Sequence, residues 1–152
     1  MIIDRTLKEK KEDTSLKLFV VLSKAYRTIM EQVEADIQRR GLNLTDFAVL
    51  ELLYHKGGQP LKNIGEKILL TSGSITYVVN KLEKKSYLKR IPNPDDRRVT
   101  FAEITEKGAD LLQTIFPGHW ERIEEITNGL NVAEKEIAIE LLKKLGTSIR
   151  TL

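Results

Sequence analysis

Hydroxyl, amide and ammonium groups crowd into one short stretch, SGSITYVVNKLEKK, at residues 72–85. Wound as a helix at 100° per residue, it puts Ile75, Val78, Val79 and Leu82 in one apolar stripe that must face a core. The opposite side is centred on Gly73, Tyr77, Asn80 and Lys84, flanked by Ser74, Thr76 and Lys81. The only acid, Glu83, lies near the margin of that face. Such donors suit phosphate oxygens and base edges. Gly73 lies in the first turn, where it costs helix stability but lets a partner approach the backbone. The N–H groups of Ser72 to Ser74, with the helix dipole behind them, favour an anion. Taken singly, each residue is more safely read as part of a solvated helix face, and Tyr77 competes seriously as a ring partly buried against the neighbouring helix. Their combination points to nucleic acid.

A second stretch, PNPDDRRV at residues 92–99, sets two adjacent arginines among turn-forming Pro, Asn and Asp. A loop tip needs no arginines to fold. Asp96 can stabilise the turn through its own backbone, whereas Arg97 and Arg98 are free to point at a partner. The surrounding charge agrees: residues 56–98 hold 10 Lys and Arg against 4 Asp and Glu, and the remainder holds 15 against 18. A basic middle between mildly acidic ends fits a local polyanion-binding face.

Catalytic chemistry finds little footing. The 2 histidines, His55 and His119, fall in different elements with no acid–base or metal-ligand spacing around them. His55 near a helix end suits the terminal carbonyls or solvent, and His119 beside Trp120 suits a surface or an interface. There is no Gly-rich phosphate loop or nucleophile motif. With no cysteine, disulfides, thiolate nucleophiles and thiol redox sensing are excluded. No enzyme, metal or cofactor is expected.

The elements that must hold these residues are legible in the apolar spacing. Leu16, Phe19, Val20, Ser23, Tyr26, Met30, Val33 and Ile37 predict a long amphipathic helix ending before Gly41. DFAVLELLYHKGG predicts a shorter helix stopped at Gly57 and Gly58. PLKNIGEKILL predicts a third, with Pro60 at its start and Leu61, Ile64, Ile68 and Leu69 on one face. The polar-faced helix follows, capped by Thr71 or Ser72. YLKRI and VTFAEI then form a β-hairpin around the arginine loop. From Thr105 a helix runs through Leu112, Phe116, Trp120, Ile123 and Ile126, with a kink expected at Pro117. Asn131 and Glu134 form a capping box for a last helix striped by Ile137, Leu141, Leu145 and Ile149. The fold class is mostly α with a small β-hairpin wing: a winged helix-turn-helix with N- and C-terminal helices. Its second helix fits a major groove about 12 Å wide, and its hairpin loop reaches sideways.

SGSITYVVNKLEKKSYLKR followed by NPDDRRVTFAEITEKG resembles the MarR family of bacterial winged-helix regulators. In that family the first block is the recognition helix and the start of the wing. The second holds an Asp-x-Arg wing signature, here Asp96 and Arg98, and a Leu/Ile-Thr-x-x-Gly lead-in to the next helix, here Ile104, Thr105 and Gly108. The resemblance covers the whole chain as one domain. It implies dimerisation helices at about 14–40 and 118–150 around a DNA-binding region at about 44–105. It also implies an obligate homodimer on a pseudo-palindromic operator, acting as a repressor released by a small, often phenolic, effector. SLKLFVVLSKAY and LNLTDFAVLELLYHKG look like a branch that answers quinones and catechols in Gram-positive bacteria.

Ser72, Gly73, Ser74, Thr76, Tyr77 and Asn80 are therefore expected at the DNA, with Lys81, Lys84 and Lys62 on phosphates. By the resemblance Arg98 enters the minor groove, Asp96 braces it, and Arg97 meets a phosphate or solvent. Phe19, Tyr26, Phe47 and Tyr54 are candidates to line an effector pocket, though ordinary core packing is the commoner role for each of them. The same fold could instead serve protein contacts, with only weak and sequence-blind binding to duplex. The charged N-terminal stretch MIIDRTLKEKKEDTS lacks a secretory core, and no apolar run spans a bilayer, so a cytoplasmic protein without membrane contact is expected.

Overall fold

The computed structural model describes residues 7, 13–68 and 72–150. Helix α1 (Thr14–Arg39) leads into α2 (Leu44–Lys56), a two-residue strand β1 (Gln59–Pro60) and the short α3 (Leu61–Lys67). Then come α4 (Ser72–Lys84), strands β2 (Leu88–Pro92) and β3 (Thr100–Ile104), and the long helices α5 (Glu106–Ile126) and α6 (Val132–Ile149). Every helix and both hairpin strands expected from the spacing are present. Of the expected details, Leu69 and Thr71 lie outside the described residues.

The start signals are the ones the side chains supply. Asp13 and Asn43 accept from the backbone N–H groups of Leu16 and Asp46, at 2.9 Å and 2.7 Å. Thr105 does the same for Gly108, at 3.1 Å. Asn131 and Glu134 exchange reciprocal bonds of 2.9 Å and 3.0 Å, which is the expected capping box. Each such cap is worth about 1 kcal/mol.

The core is closed within the winged part. Ile37 of α1, Val49, Leu50 and Leu53 of α2, and Ile64 of α3 are fully buried, as are Val79 and Leu82 of α4 and Leu88 and Ala102 of the hairpin. Ile75 and Val78 join them, so the stripe expected of α4 faces the core. The spacing did not reveal β1. Gln59 and Pro60 pair with Ala102 and Phe101, making a three-stranded antiparallel sheet in the order β1, β3, β2. Pro60 has no N–H to donate and sits on an edge strand, where a ladder tolerates it.

Helix α5 runs on through Pro117, and a difference concerns the face it buries. Its buried stripe is Leu112, Ile115 and His119, whereas Phe116 and Trp120 are exposed on another face. The expected line through Phe116 and Trp120 therefore belongs to a second apolar surface. His119, expected at a surface or interface, is buried in the chain itself.

The start of α5 is welded to the wing. Thr105 donates its hydroxyl to the Ser86 carbonyl at 2.6 Å and its N–H to the Tyr87 carbonyl at 3.0 Å. Gly108 lies so close beneath that joint that a Cβ would stand 2.1 Å from the Tyr87 oxygen. Only glycine permits this approach.

Candidate nucleic-acid interface

The residues expected to meet DNA fall on two neighbouring elements, the outer face of α4 and the β2–β3 loop. Ser72 and Gly73 form the start of α4. Ser74, Thr76, Tyr77, Asn80 and Lys84 are exposed along its outer side, and Lys62 is exposed on α3. Tyr77 is 68% exposed, so the alternative of a partly buried ring against a neighbouring helix is set aside. The ammonium group of Lys81 lies 5.8 Å from the centre of that ring.

Lys81, expected on a phosphate, also has a partner within the chain. Its Nζ is 2.9 Å from Oδ2 of Asp46, a carboxylate buried in the first turn of α2. A carboxylate removed from water is costly without a cation beside it, and Lys81 supplies one. Its charge is thus committed to joining α4 to α2. Asp46 is an acid among apolar neighbours in DFAVLELL, three residues after the capping Asn43; its partner could not be read from local spacing.

The wing tip is ordered by its own Asn and Asp side chains. Asn93 Oδ1 accepts from the Asp95 N–H at 3.0 Å, and Asp96 Oδ1 accepts from the Arg98 N–H at 3.0 Å. Arg98 also donates Nε to Oδ1 of Asp96 at 3.2 Å and Nη2 to Oδ2 at 3.4 Å. These bonds from the side chain and then the backbone of Arg98 hold the Asp96 carboxyl below the usual carboxylate range. Asp96 therefore both shapes the turn and orients Arg98, whose side chain stays 91% exposed. Arg97 is exposed in the same turn.

At the base of the wing lies a contact that sequence reasoning missed. Arg90 of β2 donates its backbone N–H to Glu83 Oε2 at 3.0 Å and Nη1 to Glu83 Oε1 at 2.9 Å. Its Nη2 reaches Asn80 Oδ1. The guanidinium thus bridges two residues of α4 one turn apart and neutralises the acid nearest the reading face. The available signal was Glu83 itself, an acid at the edge of an otherwise acid-free surface.

Beneath the winged part, α1 and α5 are joined by a buried charged cluster. Asp36 accepts Nε and Nη2 of Arg40, both at 3.0 Å, and its Oδ2 lies 3.0 Å from His119 Nδ1. Burial pushes the Asp36 carboxyl up, but hydrogen bonds and charge from Arg40 and His119 outweigh it and leave it below its ordinary value. Gly118 lets the Arg40 guanidinium lie against α5, since a Cβ there would meet Nη1 at 2.5 Å. His119 was traceable through its place seven residues beyond Leu112 and four beyond Ile115 on the buried stripe. On its other side the ring packs on Phe47, 4.9 Å between centroids.

Phe47 and Tyr54 in turn line a cavity of about 340 Å³ between α2 and α5, with Leu112, Phe116 and Pro117 completing its apolar walls. Glu51, His55 and Gln113 also line it, and Gln113 Nε2 donates to the Tyr54 hydroxyl at 3.2 Å. Phe19 and Tyr26, expected at an effector pocket, do not line it. They are exposed on α1, because the apolar stripe of that helix meets the body only over its last turns, at Val33 and Ile37. Among the described residues no cluster of three or more His, Asp or Glu could hold a metal ion, and no helix is long and apolar enough to cross a membrane.

A sequence model described as MarR family matches residues 42–100, the span from just before α2 to the first residue of β3. The HTH-type transcriptional regulator MhqR of Bacillus subtilis is 57% identical over 138 residues, covering 91% of this chain and 95% of that protein. Among solved structures, AbsC, a MarR family transcriptional regulator from Streptomyces coelicolor, superposes with a TM-score of 0.82 at 20% identity, over 97% of this chain and 99% of that one. A mutant MarR from E. coli complexed with operator DNA superposes with a TM-score of 0.78 at 18% identity, over 93% of this chain and 99% of that one. At these identities the structural likenesses speak for the fold.

Proposed function

The chain belongs to the MarR family of transcriptional regulators, and from that premise we propose that it is a homodimeric repressor which reads a pseudo-palindromic operator. The observation that carries this reading is the pairing of an exposed polar face on α4 with a wing whose Arg98 is aimed by Asp96. Ser72, Ser74, Thr76, Tyr77 and Asn80 contact the major groove or its flanking phosphates, and Lys62 and Lys84 contact phosphates. Arg98 enters the minor groove, where negative potential favours arginine. Two-fold symmetry sets the two reading helices about one DNA turn apart, roughly 34–36 Å.

The second subunit is supported by what one chain leaves uncovered. Leu18, Phe19, Val21 and Tyr26 of α1 and Ile137, Leu141, Leu142 and Ile149 of α6 are exposed, apolar side chains that a second subunit would cover. The E. coli protein of the same fold was captured with operator DNA, which is the state proposed for this chain.

Release follows from the cavity between α2 and α5. Its volume lies in the range of small-molecule sites, and its walls suit an aromatic, phenolic or quinone-like effector. A ligand that prefers a splayed dimer over the groove-spaced one by about 5.5 kcal/mol would move the population from 1:99 to 99:1.

Selection of bound duplexes from a random pool, at two salt concentrations, tests the DNA reading. An enriched inverted repeat is expected. Weak, sequence-blind binding abolished at modest salt would instead favour a winged-helix module for protein contacts. Titrating phenols and quinones against the complex tests the effector, and no release by any of them removes that part.

A further inference from the structure

One face of α2 supplies half of the cavity between α2 and α5. Phe47, Glu51, Tyr54 and His55 recur at the spacing of a single helical stripe, and all four line that space. Burial falls along the stripe. Phe47 is buried at the inner end, Glu51 is half-buried, and Tyr54 and His55 are exposed at the outer end. Glu51 thus stands between the buried end and the open one. Its carboxylate has no hydrogen bond or ion pair among the described residues.

Nothing on the facing wall offsets this charge. Leu112, Phe116 and Pro117 are apolar, Gln113 is uncharged, and no Lys or Arg lines the cavity. His55 is the one lining side chain able to become positive. It follows Glu51 by four residues on the same helix face, the arrangement in which an acid best compensates a cation.

We infer that Glu51 sets the charge class of the effector: the cavity takes uncharged aromatic molecules and turns away anionic ones, aromatic carboxylates above all. A carboxylate entering an apolar cleft gives up its water and needs a cation or hydrogen-bond donors in return. Here it would meet a second negative charge. Two such charges about 5 Å apart in partly solvated surroundings repel strongly enough to cost about tenfold or more in affinity. A ring hydroxyl, by contrast, has a proton to donate, and a carboxylate accepts it. The effector reading proposed above is the premise, and the charge of Glu51 narrows it.

The test uses the full-length protein without DNA and two probes, gentisamide and gentisate, the amide and the carboxylate of one dihydroxylated ring. The pair have nearly the same shape and differ in charge. Isothermal titration calorimetry at neutral pH, with oxygen excluded, should show gentisate binding about tenfold more weakly than gentisamide, or worse. Glu51→Gln keeps the length of the side chain and removes its charge. In that variant, folded by circular dichroism, the ratio of the two affinities should shrink to about threefold or less.

Equal affinities in the wild type would overturn the inference. So would a ratio that Glu51→Gln leaves unchanged, because the discrimination would then arise elsewhere. Failure of the wild type to bind gentisamide would also overturn it, since an uncharged ring of this kind is what the cavity is inferred to take. The release titration with phenols and quinones separates the two levels. If none of them displaces the protein from its operator, the effector reading itself fails; if some do and gentisamide is not preferred over gentisate, only the charge selection fails.

Discussion

The winged body and the terminal helices solve the burial problem in opposite ways. In the body, α2, α3, α4 and the sheet enclose residues with no exposure, such as Val49, Leu50, Ile64 and Val79. Helix α6 has no buried residue at all, and α1 buries only Val33, Asp36 and Ile37 near its end. Yet α6 carries the better local signals, a complete capping box and an apolar stripe at four-residue spacing. Local signals thus define a helix without giving it a place to pack. In the proposed dimer a second chain supplies that place for α6, whereas the body carries its own core.

The sharpest way to break this contrast is to charge the uncovered stripe. Leu141→Asp with Leu145→Asp should raise the dimer dissociation constant by a hundredfold or more, since each side chain forfeits about 1.5–3 kcal/mol of burial in each subunit. Sedimentation equilibrium reads this directly. An unchanged dimer would mean that another surface joins the subunits, while the near-unchanged body is expected to keep its core.

The converse change should act within each chain. Leu50→Ala, at a fully buried position, is expected to cost about 2–5 kcal/mol in chemical denaturation. The dimer contacts of the surviving folded protein should be unaffected. A loss below about 1 kcal/mol would show that the core is less tightly closed than its burial indicates.

Asp36 sits at the border between the two regions, tying α1 to α5. Its folded carboxyl value is depressed below the ordinary 3.8, so its stabilising contribution is present above that value and is lost as pH falls through the lower folded one. The wild type should therefore lose more stability than Asp36→Asn does on acidification through this range. Equal slopes in urea melts at successive pH values would remove Asp36 from the acid response.

The smallest effects separate the wing arginines. Arg98→Ala should weaken operator binding by about tenfold and Arg97→Ala by about twofold or less, with both proteins still dimeric. Equal losses in a titration would mean that the loop contributes charge alone and that the Asp96 brace is idle.

What the sequence made legible follows the same division. Periodicity and caps located every helix, the wing and the core stripe of α4, because those depend on neighbours three or four residues away. Strand β1 escaped because two residues, Gln59 and Pro60, are too few for any period and gain their identity only by pairing with Phe101 and Ala102. The side-chain pairings were hidden for the same reason. Asp36 finds His119, and Asp46 finds Lys81, across distances in sequence that no local pattern encodes. Lys81 is the instructive case: it lies on the flank of a face built of donors, and a buried acid on another helix claims it. Of the aromatics, Phe47 and Tyr54 meet at the cavity because α2 is packed on α5, while Phe19 and Tyr26 stand on the uncovered part of α1.

The close seat of Gly108 under Tyr87, with the Thr105 bonds beside it, has a mechanical consequence. With no slack at that joint, α5 and the wing turn as one lever. At 1.5 Å per residue the 21 residues of α5 span about 31 Å. A tilt of about 10° at one end of such an arm carries the other through about 5 Å. A small rotation at the far end of α5 is thereby geared up into a displacement at the wing that is large against a groove's width.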